Sequence, residues 1–153
     1  MADNYQKFSE IVPAITALER AWVQRVLGAT EATPEQQQVL RKDGIRPNTI
    51  DPEFWPGFEW KLDPDTPDLW LYAEDYGNVS HVGEFVRAFL ARFRPDDCWQ
   101  LTWSETCSKP RIGEFGGGGL FVTARSVCFL RAADWVERRG NSFKRRRSLP
   151  TSC

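Results

Sequence analysis

A thiol, a lone imidazole and two carboxylates are the groups in this chain whose types could act on a substrate. The thiol Cys107 lies in ETCSKPRIGEFGGGG, residues 105–119, which also carries Glu105, Lys109, Arg111, Glu114 and a glycine cluster. A thiol becomes a nucleophile when a base within hydrogen-bond reach takes its proton, and His81 is the single histidine. His81 opens a predicted helix, whose dipole disfavours imidazole protonation, and Asp75 or Asp134 could orient the ring. A small enzyme built on Cys107 and His81 is therefore one reading. Against it, neither residue sits in a local signature of a known Cys-His family, and cysteine is among the residue types most often simply buried.

The remaining groups of that stretch read as structural. Glu105 and Glu114 resemble an acid and base pair in spacing, but Lys109 and Arg111 lie between them and are expected to pair with them. Gly113 and the run Gly116, Gly117, Gly118 and Gly119 match neither GxGxxG nor the GKS or GKT of a phosphate loop. Consecutive glycines here are expected to supply positive φ, a bulge or close backbone approach where a strand begins. The stretch is read as fixing one end of a sheet, with Lys109 and Arg111 left for contact. No cofactor or metal is expected: Cys98, Cys107, Cys128 and Cys153 form no CxxC pair, and four-ligand sites bring close pairs. The cysteines are expected to be reduced.

The elements that must position these groups follow from spacing. TALERAWVQRVLG has Thr16 and Glu19 at capping-box distance, Leu18, Trp22 and Val26 on one face, and Gly28 as its stop. TPEQQQVLRKDG repeats the logic with Thr33, Pro34, Gln36 and Gly44. A proline-punctuated segment then leaves room for one short strand near 58–62. LWLYAE alternates as a strand over 68–74, and HVGEFVRAFLARF places Val82, Phe85, Val86, Phe89, Leu90 and Phe93 on one helical face. CWQLTWS alternates again over 98–104; GLFVTA and SVCFLR read as a hairpin turning near Arg125, and ADWVERR as a short closing helix. The expected fold is α+β: a mostly antiparallel sheet of four to five strands, a long amphipathic helix over about residues 80–93 on one face, and an N-terminal helical segment. One globular domain is expected over 1–137, with the N-terminal helices within 1–45 and an α+β core over 55–137. A flexible basic tail over 138–153 follows. The length of 153 residues and seven tryptophans suit a single folded domain.

Charge is unevenly spread. Arg138, Arg139, Lys144, Arg145, Arg146 and Arg147 supply six of the 20 basic residues with no acid among or after them, so the rest of the chain is acidic on balance. The acid concentrates over residues 43–84, where Asp63, Asp65, Asp68, Glu74 and Asp75 surround the aromatics Trp70 and Tyr72. These residues, with Lys109 and Arg111 and the further aromatics Trp55 and Trp60, are the candidate binding surface for a basic partner. The basic tail is a candidate arm for nucleic acid, since each phosphate neutralised contributes salt-dependent affinity. The polar start MADNYQKFSE carries no secretory pattern, and no apolar run reaches membrane-spanning length, so a soluble cytoplasmic protein is expected.

DLWLYAEDYGN, VGEFVRAFLARFRPDD and LTWSETCSKPRIGEFGGGGLFVTA resemble an uncharacterised family of small proteins from phages, plasmids and other mobile elements of bacteria. The resemblance covers about residues 68–137, is most specific over 103–118, and leaves the N-terminal third and the tail poorly matched. It implies no chemistry. It does imply a mobile-element origin, where small proteins without catalytic motifs often inhibit host defence, anti-CRISPR proteins included. The resulting expectation is a non-enzymatic inhibitor that binds a bacterial partner protein stoichiometrically in the host cytoplasm. A nucleic-acid-handling defence complex is the partner class it implies. The alternatives are the Cys107 and His81 enzyme and nucleic-acid binding through the basic tail.

Overall fold

Asn4–Val12 (β1), within a start that reads as polar, is an inner strand of the sheet. The computed structural model describes residues 2–30 and 33–148. Its other strands are Glu59–Leu62 (β2), Leu69–Ala73 (β3), Cys98–Cys107 (β4), Gly116–Thr123 (β5) and Val127–Arg131 (β6). They form one six-stranded sheet in the order β2-β3-β1-β4-β5-β6, and every neighbouring pair is antiparallel. The α+β class is as the sequence implies, with six strands in place of four to five. The additional strand is β1, which bonds to both β3 and β4. Phe8 and Val12 are its buried residues while Lys7, Ser9 and Ile11 are exposed, the alternation of a strand with one covered face.

Helices Ala17–Leu27 (α1) and Pro34–Lys42 (α2) start on the capping boxes of Thr16 with Glu19 and Thr33 with Gln36. Val79–Phe93 (α3) starts on Asn78, whose side-chain oxygen accepts the His81 N–H. The apolar face of α3 is fully enclosed: Val82, Phe85, Val86, Phe89 and Leu90 join Leu71, Leu101, Leu120 and Val122 of the sheet in one core. Trp22 of α1 packs its ring 5.6 Å from Phe85, 6.0 Å from Phe89 and 5.8 Å from Phe93. Each such side chain contributes about 1.5–3 kcal/mol on burial, which makes α3 against the sheet the main source of stability.

Buried charge ties the connections to this core. Glu84 of α3 accepts from the guanidinium groups of Arg46 and Arg87, and Arg87 also donates to the carbonyls of Gly44 and Ala124. Asp43 is bridged to Arg25 at 2.8 Å, and Glu19 to Arg94 at 2.9 Å. Burial pushes the Glu19 carboxyl up, but its bonds to Arg94 and Thr16 outweigh this and hold it below the ordinary carboxylate value.

The C-terminal segment differs from expectation. In place of a short helix and a flexible tail, Ala132–Ser148 (α4) is one continuous helix. Gly140, Asn141 and Ser142 make it look broken in sequence, yet glycine in a helix interior costs only about 1 kcal/mol. Arg139 lies over the Trp135 ring at 5.9 Å and Arg147 over the Phe143 ring at 6.0 Å, two contacts at four-residue spacing that support the turns on either side of that weak point. Residues 149–153 of the expected tail, Cys153 among them, lie outside the described residues. Among the described residues no helix is long and apolar enough to cross a membrane.

Candidate functional site

The glycine run is strand, and the loop proper is shorter than the sequence implies. In β5, Gly116, Gly117, Gly118 and Gly119 stand opposite Glu105, Ser104, Trp103 and Thr102 of β4. Gly118 lies beneath the Trp103 ring, where an added Cβ would come within 2.7 Å of it. Seated there, the Trp103 indole N–H donates to Glu105 at 3.3 Å. Glu105 is bridged to Arg131 of β6 at 3.1 Å, so the partner expected among Lys109 and Arg111 is instead a residue one hairpin further on. Trp103, Glu105, Glu114, Phe129, Arg131 and Tyr76 line an open cleft of about 620 Å³ at this end of the sheet, beside the start of α3.

The proposed catalytic pair is not assembled for chemistry. Cys107 is half-buried at the end of β4, opposite Asn4 of β1. His81 is 2% exposed, and both ring nitrogens are bound to backbone: Nε2 accepts the Asp51 N–H at 2.9 Å, and Nδ1–H donates to the Pro56 carbonyl at 3.0 Å. The imidazole therefore has no free nitrogen to take a thiol proton, and its role is to tie the 51–56 segment to α3. Among the described residues no group of three or more His, Cys, Asp or Glu side chains is placed to hold a metal ion.

Burial pushes the His81 pKa below 6.5, against the opposing pulls of its bond to Pro56 and of Asp51. The folded chain thus takes up a proton there less readily than the unfolded chain, and stability from this group declines as pH falls below about 6.5 towards the lower folded value. The urea midpoint is expected to drop between about pH 7.5 and pH 5.5. A His81→Gln variant, less stable at every pH, should lack that slope; a slope of the same size in the variant would assign it to other groups.

The acidic stretch separates into segments with different tasks. Asp43 and Glu84 are buried and paired. Asp51 accepts the Glu53 N–H, and Asp68 accepts the Ala14 N–H at 2.9 Å. Asp63 accepts the Asp65 N–H within the β2–β3 connection. Since β3 runs from Leu69 to Ala73, Asp63, Asp65 and Asp68 gather at one of its ends and Glu74 and Asp75 at the other, separated by roughly 17 Å of strand. The candidates therefore do not form one face. Lys109 and Arg111 belong to the second end: Cys107 pairs with Asn4, and the Gln6 N–H donates to the Asp75 carbonyl at 2.7 Å, so β1 joins the two groups.

On the sheet face opposite α3, Trp70 and Tyr72 stack with ring centroids 3.9 Å apart. The Trp70 indole N–H donates to Ser9 Oγ at 2.8 Å, which fixes the ring on the sheet. Strand register sets Ile11 beside Trp70 and Ser9 beside Tyr72. Lys7, Ser9, Trp70, Tyr72, Glu74 and Asp75 line a shallow depression of about 540 Å³. Trp70 is 38% exposed and Ile11 43%. Trp55, an expected surface anchor, is instead core, with its indole N–H bound to the Val26 carbonyl at 2.8 Å, and Trp60 is half-buried. Lys7, Ser9 and Ile11 are the contributors that sequence reasoning missed; with only Phe8 and Val12 of NYQKFSEIV buried, the stretch carries too weak an alternation to announce a strand. Comparison with known proteins finds no family model, no curated protein and no solved structure that matches this chain.

Proposed function

We propose that the protein is a non-enzymatic binder that docks its open sheet face, stoichiometrically, on a basic surface of a bacterial partner protein. The observation that carries this reading is the Trp70 and Tyr72 stack in an open depression on the sheet face, beside Glu74 and Asp75. Aromatic rings held in place before binding are common energetic anchors, because little side-chain freedom is lost on contact. Flanking carboxylates select a basic partner and raise the rate of encounter. The resemblance to small mobile-element proteins makes inhibition of a host defence component, in the manner of an anti-CRISPR protein, the role this binding would serve. The occupied His81 nitrogens argue against the alternative of cysteine catalysis.

Capture of partners from nuclease-treated bacterial lysate tests the reading with the wild-type chain and with Trp70→Ala, Glu74→Lys and Cys107→Ala. A protein partner held by wild type and by Cys107→Ala, but weakened in Trp70→Ala by about 30-fold, or about 2 kcal/mol, is the expected result. Trp70 is on the open face, so this variant should melt close to wild type. A function lost in Cys107→Ala and retained in Trp70→Ala would restore the enzyme reading and end this one.

A further inference from the structure

We infer that α4 is a docking helix for double-stranded DNA, a surface separate from the Trp70 and Tyr72 face. The basic residues Arg138, Arg139, Lys144, Arg145, Arg146 and Arg147 lie on one helix that carries no acid after Glu137. At 3.6 residues per turn they are distributed around the whole circumference, with no sector wider than about 100° lacking one. This placement distinguishes the occupant. An acidic protein surface meets one side of a helix and would leave about half of these charges in solvent. A duplex major groove, about 12 Å wide, receives a helix about 10–12 Å in diameter and sets a phosphate backbone on each side of it.

The surroundings fit the same occupant. Trp135, Val136 and Phe143 are more than half exposed, and the basic residues are exposed along the helix. Stacking over Trp135 and Phe143 holds the Arg139 and Arg147 guanidinium groups against the helix surface. Elsewhere the chain is acidic on balance and would repel a polyanion, so a helix whose basic residues are exposed is the element that can approach one. The six basic residues extend over about 14 Å of helix axis, enough to reach several phosphates on both strands.

Fluorescence anisotropy of a short labelled DNA duplex, titrated with the full chain, tests the inference. Single-stranded DNA of the same length and polyglutamate serve as comparisons. Duplex binding is expected to be tighter than binding to either. With about four to six phosphates contacted, affinity should fall on the order of 10²–10³-fold between roughly 50 and 200 mM salt. The triple variant Arg138→Gln, Lys144→Gln and Arg146→Gln should bind at least about tenfold more weakly and shift the salt slope by about three, with an unchanged melting temperature. Trp70→Ala should bind the duplex as wild type does, which separates this surface from the protein-binding one. Absence of duplex binding at low salt, or an unaltered triple variant, would overturn the inference. Tighter binding of polyglutamate than of duplex at matched charge would assign α4 to an acidic protein surface instead.

Discussion

Glu84→Ala is expected to lower the unfolding free energy by about 3–5 kcal/mol, read as a lower urea midpoint at unchanged denaturant slope. The carboxylate is 2% exposed and accepts from the Arg46 N–H at 2.8 Å, from the Arg46 guanidinium at 2.8 Å and from the Arg87 guanidinium at 2.7 Å. Removing it leaves Arg87, almost as deeply buried, without a counter-charge, and a cavity beside α3. Against a total stability of about 5–15 kcal/mol, such a loss threatens the fold itself. Burial pushes the Glu84 pKa up, but Arg87 and Arg46 more than offset it and hold the group below the ordinary carboxylate value of 4.5. The folded chain therefore binds fewer protons than the unfolded one near that pH. The stabilisation is fully present above about 4.5 and is lost as pH falls through the lower folded value. Glu84→Gln keeps the shape and one acceptor, so its loss should be smaller. Equal losses in the two variants would show that the charge pairing carries the whole effect and that shape contributes little.

Beyond the local pair of Glu84 and Arg87, this network was not visible in the sequence, for a definite reason. Composition reports charges and spacing reports faces, but the Glu84 partner Arg46 is 38 positions away and is chosen by the fold. What spacing does report was legible. The boxes at Thr16 and Thr33, the apolar face of α3 and the alternation in β4 are local patterns, and each became the element it implied. β1 escaped because only Phe8 and Val12 of NYQKFSEIV are buried, too few to mark a period. α4 escaped because Gly140 and the polar residues after it resemble a break, while the Arg139 and Arg147 stacks that support the turns on either side of it depend on side-chain geometry.

The candidate site was legible to a similar depth. Alternation in LWLYAE placed Trp70 and Tyr72 on one face of a strand, and that is where they stack. Sequence proximity then misled in two ways. The acids before and after β3 look like one cluster in the chain, yet a strand moves roughly 3.3 Å per residue, which sends them to opposite ends. Trp55 looks like another anchor, but a hydrogen bond to Val26 and a neighbouring His81 ring at 5.4 Å hold it inside. The groups that complete the face, Lys7 and Ser9, come from the strand that local pattern did not announce.

Gly118→Ala is expected to cost about 3 kcal/mol, at the upper end of what overpacking a tight site costs, and Gly118→Val more. The Cβ would strike the Leu130 carbonyl oxygen on one side and lie 2.7 Å from the Trp103 ring on the other. The carbonyl is backbone of β6 and cannot swing away, so the ring must leave its place over β5. That displacement also breaks the indole bond to Glu105 and disturbs the wall of the cleft that Glu105 and Arg131 share. Gly117 is limited differently: its φ of 152° is one that side-chain-bearing residues rarely adopt, and a Cβ there meets the Trp103 carbonyl. Gly119→Ala is the control, because its Cβ approaches the Leu101 carbonyl only to 3.3 Å, and its loss should be about 1 kcal/mol or less. Thermal melts with near-ultraviolet circular dichroism measure both the stability and the tryptophan environment. The 118 variant should lose both, while the 119 variant keeps its aromatic spectrum and nearly all of its stability. A Gly118→Ala protein with wild-type melting and an unaltered aromatic spectrum would mean that the run is not there to seat Trp103, and would return residues 105–119 to the role of a binding loop.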